Sequence, residues 1–253
     1  MMTSDLVLSR ARSSRMRIGI GAGTDERKAV ESSEEASAKG YGSVSVYRDP
    51  LRLAEDLRSG MIDAAVRGDL GSNEAMAAVR SVFGVDKVLR AAFLEPVGGR
   101  MFLFSPVGID EGWTVEEKIE LARLSVRTLS PLIKNPVVGV MCGGRSSDIG
   151  RMAAVDRTID DSAEVVARLL REGIDARDVQ ILIEDAAKEC DVIIAPDGIS
   201  GNLVFRTLHF LGGGKALGAP VLNIDRPYID TSRAKASYAD SIALAAVLAL
   251  RNH

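Results

Sequence analysis

The sequence predicts an α/β protein built on parallel-rich sheets, and three observations carry that reading. Short apolar runs alternate with helical runs along the whole chain. Residues 136–141 carry no charge, as a strand buried on both faces requires. Asp49, Pro50 and Gly60 stand where a crossover helix needs its N-cap, first residue and terminator.

The elements follow in order. Residues 17–21 form a first strand ending in glycine, and Thr24 is placed to cap a helix that stops at Gly40. Residues 44–47 make the next strand, with Val44 and Val46 on one face. The helix framed by Asp49 and Gly60 leads to a third strand over 62–66. Ser72 then caps a helix running to Phe83. Residues 88–94 and 100–105 are β-rich, joined by a turn at Gly98-Gly99.

Thr114, with Glu117 three residues on, opens a long helix as a capping box. Val115, Ile119, Ala122, Val126 and Leu129 fall on one face of it. Beyond the 136–141 strand, Asp161 with Glu164 starts a helix that Gly173 stops. Residues 179–183 and 191–195 read as strands, followed by a helix from Gly201 to Leu211. Residues 220–224 are the last strand. A final helix, from Tyr238 to Arg251, is apolar on most sides and therefore buried.

Composition excludes several classes. A chain of 253 residues with 46% hydrophobic residues supports a real core in one large domain or two lobes. A net charge of −3 and only 4% aromatics argue against nucleic-acid binding. No apolar run is long enough to span a membrane. The segment with Arg10, Arg12 and Arg15 lacks a signal-peptide core and reads as a frayed arm or short surface helix. Two cysteines suit a reducing cytoplasm. Cys142, Cys190, His209 and His253 are too scattered for a structural zinc site, so no metal is expected.

Three loops carry candidate chemistry. The first, Gly143, Gly144, Arg145, Ser146 and Ser147, runs on to Arg151 directly after the 136–141 strand. Glycines let backbone N–H groups approach an anion, and the hydroxyls and guanidinium groups add donors and charge. The second runs from Asp197 through Gly201 and Asn202 at a helix start, where exposed N–H groups favour an anion. Equally, Ser200 there is only a cap. The third is Asp230-Thr231-Ser232-Arg233, followed by Asp240 at the start of the last helix. Arg233 suits a phosphate or carboxylate, and Asp240 is either a general base or a helix-dipole partner. Arg67 follows the third strand and is offered to the same cleft. The run from Gly19 to Gly23 only imitates a dinucleotide loop, lacking the third glycine.

Together these segments resemble the phosphate acetyltransferase and phosphate butyryltransferase family from residue 17 onward. The strand, Pro196-Asp197, Gly201-Asn202, helix, Gly212-Gly213 order is similar, and Asp230 to Arg233 resembles its Asp-Leu-Ser-Arg segment. A closer resemblance is to the MtxX family, a methanogenesis marker group labelled methyltransferase-related. It is carried by Cys142-Gly143-Gly144-Arg145, by Asp148-Ile149-Gly150-Arg151 and by Ala65-Val66-Arg67-Gly68.

The resemblance implies an isocitrate/isopropylmalate-dehydrogenase-like fold of two lobes about a cleft. Residues 1–105 with 221–253 would form one lobe and 106–220 the other. It implies that Ser232 and Arg233 hold an acyl phosphate and that Asp240 is the base for a coenzyme A thiol. Asp240 lies one residue beyond the family spacing. Coenzyme A is then a candidate substrate, a small phosphorylated or acyl-phosphate molecule the ligand, and a cytoplasmic homodimer the expected assembly. Rival expectations are a non-catalytic accessory protein of methyl metabolism and a methyltransferase proper, although no cobalamin or S-adenosylmethionine motif is present. A metal-dependent dehydrogenase lacks its carboxylate set.

Overall fold

The chain folds into two compact α/β units in a computed structural model that describes residues 2–250. Arg251 and His253 lie outside the described residues. One unit comprises residues 4–88 with 217 onward, the other residues 2–3 with 89–216. Residues 89–105, expected with the first lobe, pack in the second. The reason is the sheet: the hairpin they form pairs with strands of that unit.

The first unit contains α1 (Ser4–Ala11), β1 (Arg17–Gly21), α2 (Glu26–Ala38), β2 (Ser43–Tyr47), α3 (Pro50–Ser59), β3 (Ala64–Val66) and α4 (Ser72–Phe83). Within it, β1 lies between β2 and β3, all parallel. After the other unit the chain returns to add a strand, Tyr228–Asp230, parallel to β3. Leu53, Leu57, Val79, Phe83 and Tyr228 share one core. The last helix, Ala239–Ala249, packs on β1 and β3 together with α1 and α2. Its residues 241–249 are all buried, as their apolar run predicts. The arginine-bearing N-terminal segment is a helix docked through Val7 and Ala11 rather than a frayed arm.

The second unit holds β4 (Ala92–Glu95), β5 (Phe102–Ser105), α5 (Val115–Leu129), β6 (Val138–Met141), α6 (Ala153–Arg171), β7 (Ala176–Gln180), α7 (Ile183–Glu189), β8 (Val192–Ile194) and α8 (Gly198–Arg206). A π-helical turn, Thr207–Leu211, extends α8. β4 and β5 form an antiparallel hairpin, while β5, β8, β6 and β7 are parallel in that order. The uncharged 136–141 run becomes β6, fully buried between β7 and β8. β9 (Lys215–Pro220) begins at the end of this unit, and β10 (Tyr228–Asp230) and α9 (Ala239–Ala249) are the returning strand and helix named above.

Several local expectations are corrected. Asp25, not Thr24, caps α2, accepting from Lys28 N. Ser72 is the first residue of α4 rather than its cap. Thr114 caps α5, but Glu117 reaches the N–H of Trp113 instead of closing the box on Thr114. α6 starts at Ala153, and Asp161 lies inside it, where its carboxylate accepts from Lys118 Nζ at 2.7 Å and ties α6 to α5. Gln180 adopts a φ of 53° and bonds the Asp178 carboxylate, which ends β7. The strand expected over 179–183 is thus the earlier β7, Ala176–Gln180, and Ile183 already opens α7. The strand expected over 220–224 is β9, which ends at Pro220. None of the described helices is long and apolar enough to cross a membrane.

Candidate functional site

In the first unit, the candidate segment runs from the end of β10 into α9. Its base is fixed by Arg67. That guanidinium is 5% exposed, so it is not offered to a ligand as expected. It bonds the Asp230 carboxylate and the carbonyl oxygens of Leu70 and Thr231. Asp230 also accepts from the N–H of Thr231 at 2.8 Å, and the Thr231 hydroxyl donates to Gly68 O at 2.7 Å. Arg67 thus holds the chain just before Ser232.

Residues 232–235 form a tight turn, with Lys235 N donating to Ser232 O and Ala234 N to Ser232 Oγ. The Arg233 side chain is exposed, with no acceptor among the described residues. One face of α2 holds this turn and the stretch that leads into α9. Lys28, Ser32 and Glu35 lie at i, i+4 and i+7, so they project from the same side of the helix. Lys28 Nζ donates to Arg233 O at 2.8 Å, Tyr238 N donates to Ser32 Oγ at 2.9 Å, and Ser237 Oγ donates to Glu35 at 2.6 Å. The Lys28 ammonium also lies 5.1 Å from the Tyr238 ring centroid.

Lys235 is the least conventional cation in this segment. Its Nζ donates to Ser241 Oγ at 3.0 Å and Leu217 O at 3.4 Å. Burial pulls the ammonium down to about 8, against the attraction of Asp240. Asp240 itself is half-buried in the first turn of α9.

The run from Gly19 to Gly23 is closed by the chain itself. The Asp69 carboxylate accepts from Gly23 N at 2.7 Å and Asp25 N at 2.6 Å. Burial pushes this carboxyl up, but the backbone donors and Lys28 outweigh it and hold it below its usual range.

In the second unit, the loop after β6 is more ordered than a flexible glycine loop. Gly143 N donates to Thr158 Oγ1 at 2.8 Å. Gly144 is buried, and a Cβ there would lie 2.7 Å from Val155 Cγ1. Residues 146–148 make one 3₁₀ turn. The Asp148 carboxylate accepts from Arg145 N at 2.8 Å and from Arg151 Nη1 at 2.6 Å. Those bonds hold its carboxyl below the ordinary range. Arg145, Ser146 and Ser147 remain exposed. Cys142 is buried with its Sγ toward Gly144 O, and burial pushes the thiol up, opposite to what a nucleophile needs.

The second loop is corrected in role. Asp197 caps α8, its carboxylate accepting from Ser200 N at 2.8 Å. The helix therefore begins at Gly198, and Gly201 and Asn202 sit past its first residues. Gly201 allows a close approach: a Cβ would stand 2.1 Å from Pro106 O. The Asn202 amide donates to Val107 O at 2.7 Å. Both residues anchor the helix to residues 106–107 instead of presenting donors outward.

The structure thus has Ser232, Arg233 and Asp240 on one segment with Arg67 bonded beneath its start, and Gly143 to Ser147 with Arg151 on one loop. Lys28 and Lys235 were missed by motif reading, and Asp69 and Asp148 lay within quoted loops without a role being assigned to them. The i, i+4, i+7 spacing of Lys28, Ser32 and Glu35 was the available clue. Among the described residues, no three His, Cys, Asp or Glu side chains gather as a metal site requires.

No family model matches the chain. Among solved structures, it resembles a branched-chain phosphotransacylase from Enterococcus faecalis, with a TM-score of 0.75 at 12% identity, covering 92% of this chain and 99% of that one. A phosphotransacetylase from Staphylococcus aureus gives 0.74 at 13% identity, with each chain covered in full. The chain has this α/β fold. A phosphate acetyltransferase of Corynebacterium glutamicum is 26% identical over 65% of this chain and 53% of its own length. The "Putative methyltransferase mtx subunit X" of Methanosarcina mazei is 38% identical over 98% of this chain and 95% of its own. Its namesake in Methanosarcina acetivorans is 40% identical over 96% and 94%. By this near full-length identity, the chain belongs to the family of mtx subunit X, MtxX.

Proposed function

We propose that the chain binds phosphate or an acyl phosphate and transfers its acyl or phosphoryl group. The observation that carries this reading is the Ser232–Arg233 turn. It is fixed from below by Arg67 and from the side by Lys28, while the Arg233 guanidinium stays exposed. A fixed backbone bearing an unpaired guanidinium suits an oxyanion, because little reorganisation opposes binding. Likeness to phosphotransacylases in fold, and to a phosphate acetyltransferase in sequence, supports the same reading.

In this reading, the loop from Gly143 to Ser147 and Arg151 adds donors to the same ligand, held in a cleft between two lobes of a homodimeric protein. Coenzyme A is the second substrate. Asp240 takes the thiol proton, the sulfur bonds to the acyl carbon, and the bond from that carbon to the phosphate oxygen breaks. Arg233 offsets the charge gathering on the departing phosphate. Asp197, Gly201 and Asn202 serve by holding α8 in place.

The test is calorimetric titration of the protein with phosphate, acetyl phosphate and coenzyme A, followed by a turnover assay with the last two together. Saturable binding that Arg233→Met weakens at least tenfold is expected. Absence of heat with all three compounds overturns the proposal. A second reading, an accessory subunit of methyl transfer, is favoured by the names of the Methanosarcina relatives. It predicts phosphate binding without turnover.

A further inference from the structure

In the second unit, α8 and its π-helical turn show solvent an apolar side. Ile199, Leu203, Arg206 and Phe210 recur at i, i+4, i+7 and i+11, so they share one face, which Leu211 extends. All five are exposed, Leu203 at 61% and Leu211 at 85%. A helix packed on a core normally turns polar residues to solvent. No other helix among the described residues exposes more than one large apolar side chain. Contiguous exposed apolar surface of this kind marks an interaction site.

The loop before α5 adjoins the N-terminal end of this helix. Gly198 lies so close to it that a Cβ there would stand 2.0 Å from Gly108 O. The loop is held in shape from within. Glu111 is buried and pairs with Arg90 at 2.7 Å, and the Trp113 Nε1–H donates to Ile109 O at 2.9 Å. Ile109, Asp110 and Trp113 are nonetheless exposed. Two charges therefore stand toward opposite ends of the region, Asp110 on the loop and Arg206 on the helix. Neither forms an ion pair among the described residues. The Arg206 guanidinium lies 5.1 Å from the Phe210 ring centroid.

We propose that this face pairs two copies of the chain, α8 against α8, antiparallel about a two-fold axis. A two-fold contact uses the same patch on both copies, so the patch must complement itself. Antiparallel alignment meets that demand. Ile199 and Leu203 of each copy meet Phe210 and Leu211 of the other, and Asp110 of each approaches Arg206 of the other, so two ion pairs form at once. Parallel alignment would set Arg206 against Arg206. Phenylalanine, tryptophan and arginine are also the residues that interfaces favour. A stable interface takes about 800 Å² from each partner, so the loop contributes together with the helix. The inference names the contact face of the homodimer proposed above and rests on that part of the reading, not on the ligand.

The test is sedimentation velocity on the full chain over a concentration series, with circular dichroism on every variant. The native chain is expected to dimerise. Leu203→Glu places a charge on an exposed position, so its dichroism is expected to stay native while the dimer weakens at least tenfold. Asp110→Arg and Arg206→Asp each oppose like charges and are expected to weaken the dimer at least tenfold, whereas an equimolar mixture of the two is expected to dimerise as a mixed pair. Damage to the fold in either variant would not produce that recovery. A native chain that stays monomeric overturns the proposal, as does a dimer that Leu203→Glu leaves at native strength. Weakened single variants without recovery in the mixture overturn the antiparallel arrangement. A monomeric chain that binds a different subunit through Leu203 assigns the face to that subunit and overturns self-pairing. Phosphate calorimetry on Leu203→Glu is expected to match the native chain, which separates failure here from failure of the ligand reading.

Discussion

Lys28 Nζ donates to the carbonyl oxygen of Arg233 at 2.8 Å, although 205 positions separate the two residues. The ammonium fixes a backbone atom of the arginine and leaves its guanidinium unengaged. Replacing Lys28 with Met removes one charge-assisted bond of about 1.5–3 kcal/mol at most. Phosphate affinity is expected to fall roughly tenfold in calorimetry, and the melting temperature to fall by a few degrees. Lys28→Arg keeps a donor at the carbonyl and is expected to recover much of the loss.

Lys235 predicts a pH signature. Its folded value is about 8, against an ordinary lysine value of 10.5. Below pH 8 both folded and unfolded chains hold the proton, and the cost of burying the charge is constant. Between about pH 8 and pH 10.5 the unfolded chain keeps the proton while the folded chain has lost it. This residue's contribution to stability therefore rises with pH across that window, by roughly 3 kcal/mol in all. Urea midpoints at pH 7.5 and 10 are expected to show the rise in the native protein and a smaller one in Lys235→Met. Identical pH slopes in the two proteins would sink the assignment.

Gly201 faces a backbone oxygen that cannot move aside. Gly201→Ala sets a methyl group 2.1 Å from Pro106 O, an overlap expected to cost about 1–3 kcal/mol or more. Asn202→Ala removes the bond to Val107 O and is expected to cost about 1–2 kcal/mol. Thermal melts of both variants check the values. A neutral Gly201→Ala would mean that α8 does not dock on this stretch.

Asp148 occupies the donors of its own loop. Asp148→Ala frees Arg145 N and the Arg151 guanidinium. If this loop takes an anion, sulfate affinity is expected to rise several-fold in the variant, by relief of competition and of like-charge repulsion. An unchanged or weaker affinity argues that the carboxylate is needed to shape the turn.

The sequence made the alternation of strands and helices legible because that pattern rests on local periodicity and caps. The α3 frame of Asp49, Pro50 and Gly60 is such a case, and the structure matches it residue for residue. What failed were choices between local competitors. Asp25 out-competes Thr24 one residue earlier, and Asp197 out-competes Ser200 three residues later, each carboxylate accepting from an N–H of its helix's first turn. Asp161 reads as a cap until its partner Lys118, on another helix, is known. Arg67 looked like a cleft residue because motif order says nothing about burial. Its partners Asp230 and Thr231 come from the far end of the chain. The candidate segment itself was legible as residues; its supports on α2 were not, since a helix face is neutral until something packs on it.

The turn that bears Arg233 is tethered at both ends, by Arg67 and Gly68 before it and by Ser32, Glu35 and Leu217 after it. Its exposed positions, Ala234 and Ala236, carry little of that scaffold. Closing a slightly longer span between fixed ends adds only a few tenths of a kcal/mol per residue. Descendants of this chain can therefore lengthen the turn or rewrite these positions and change which molecule the arginine meets, while the frame beneath stays intact.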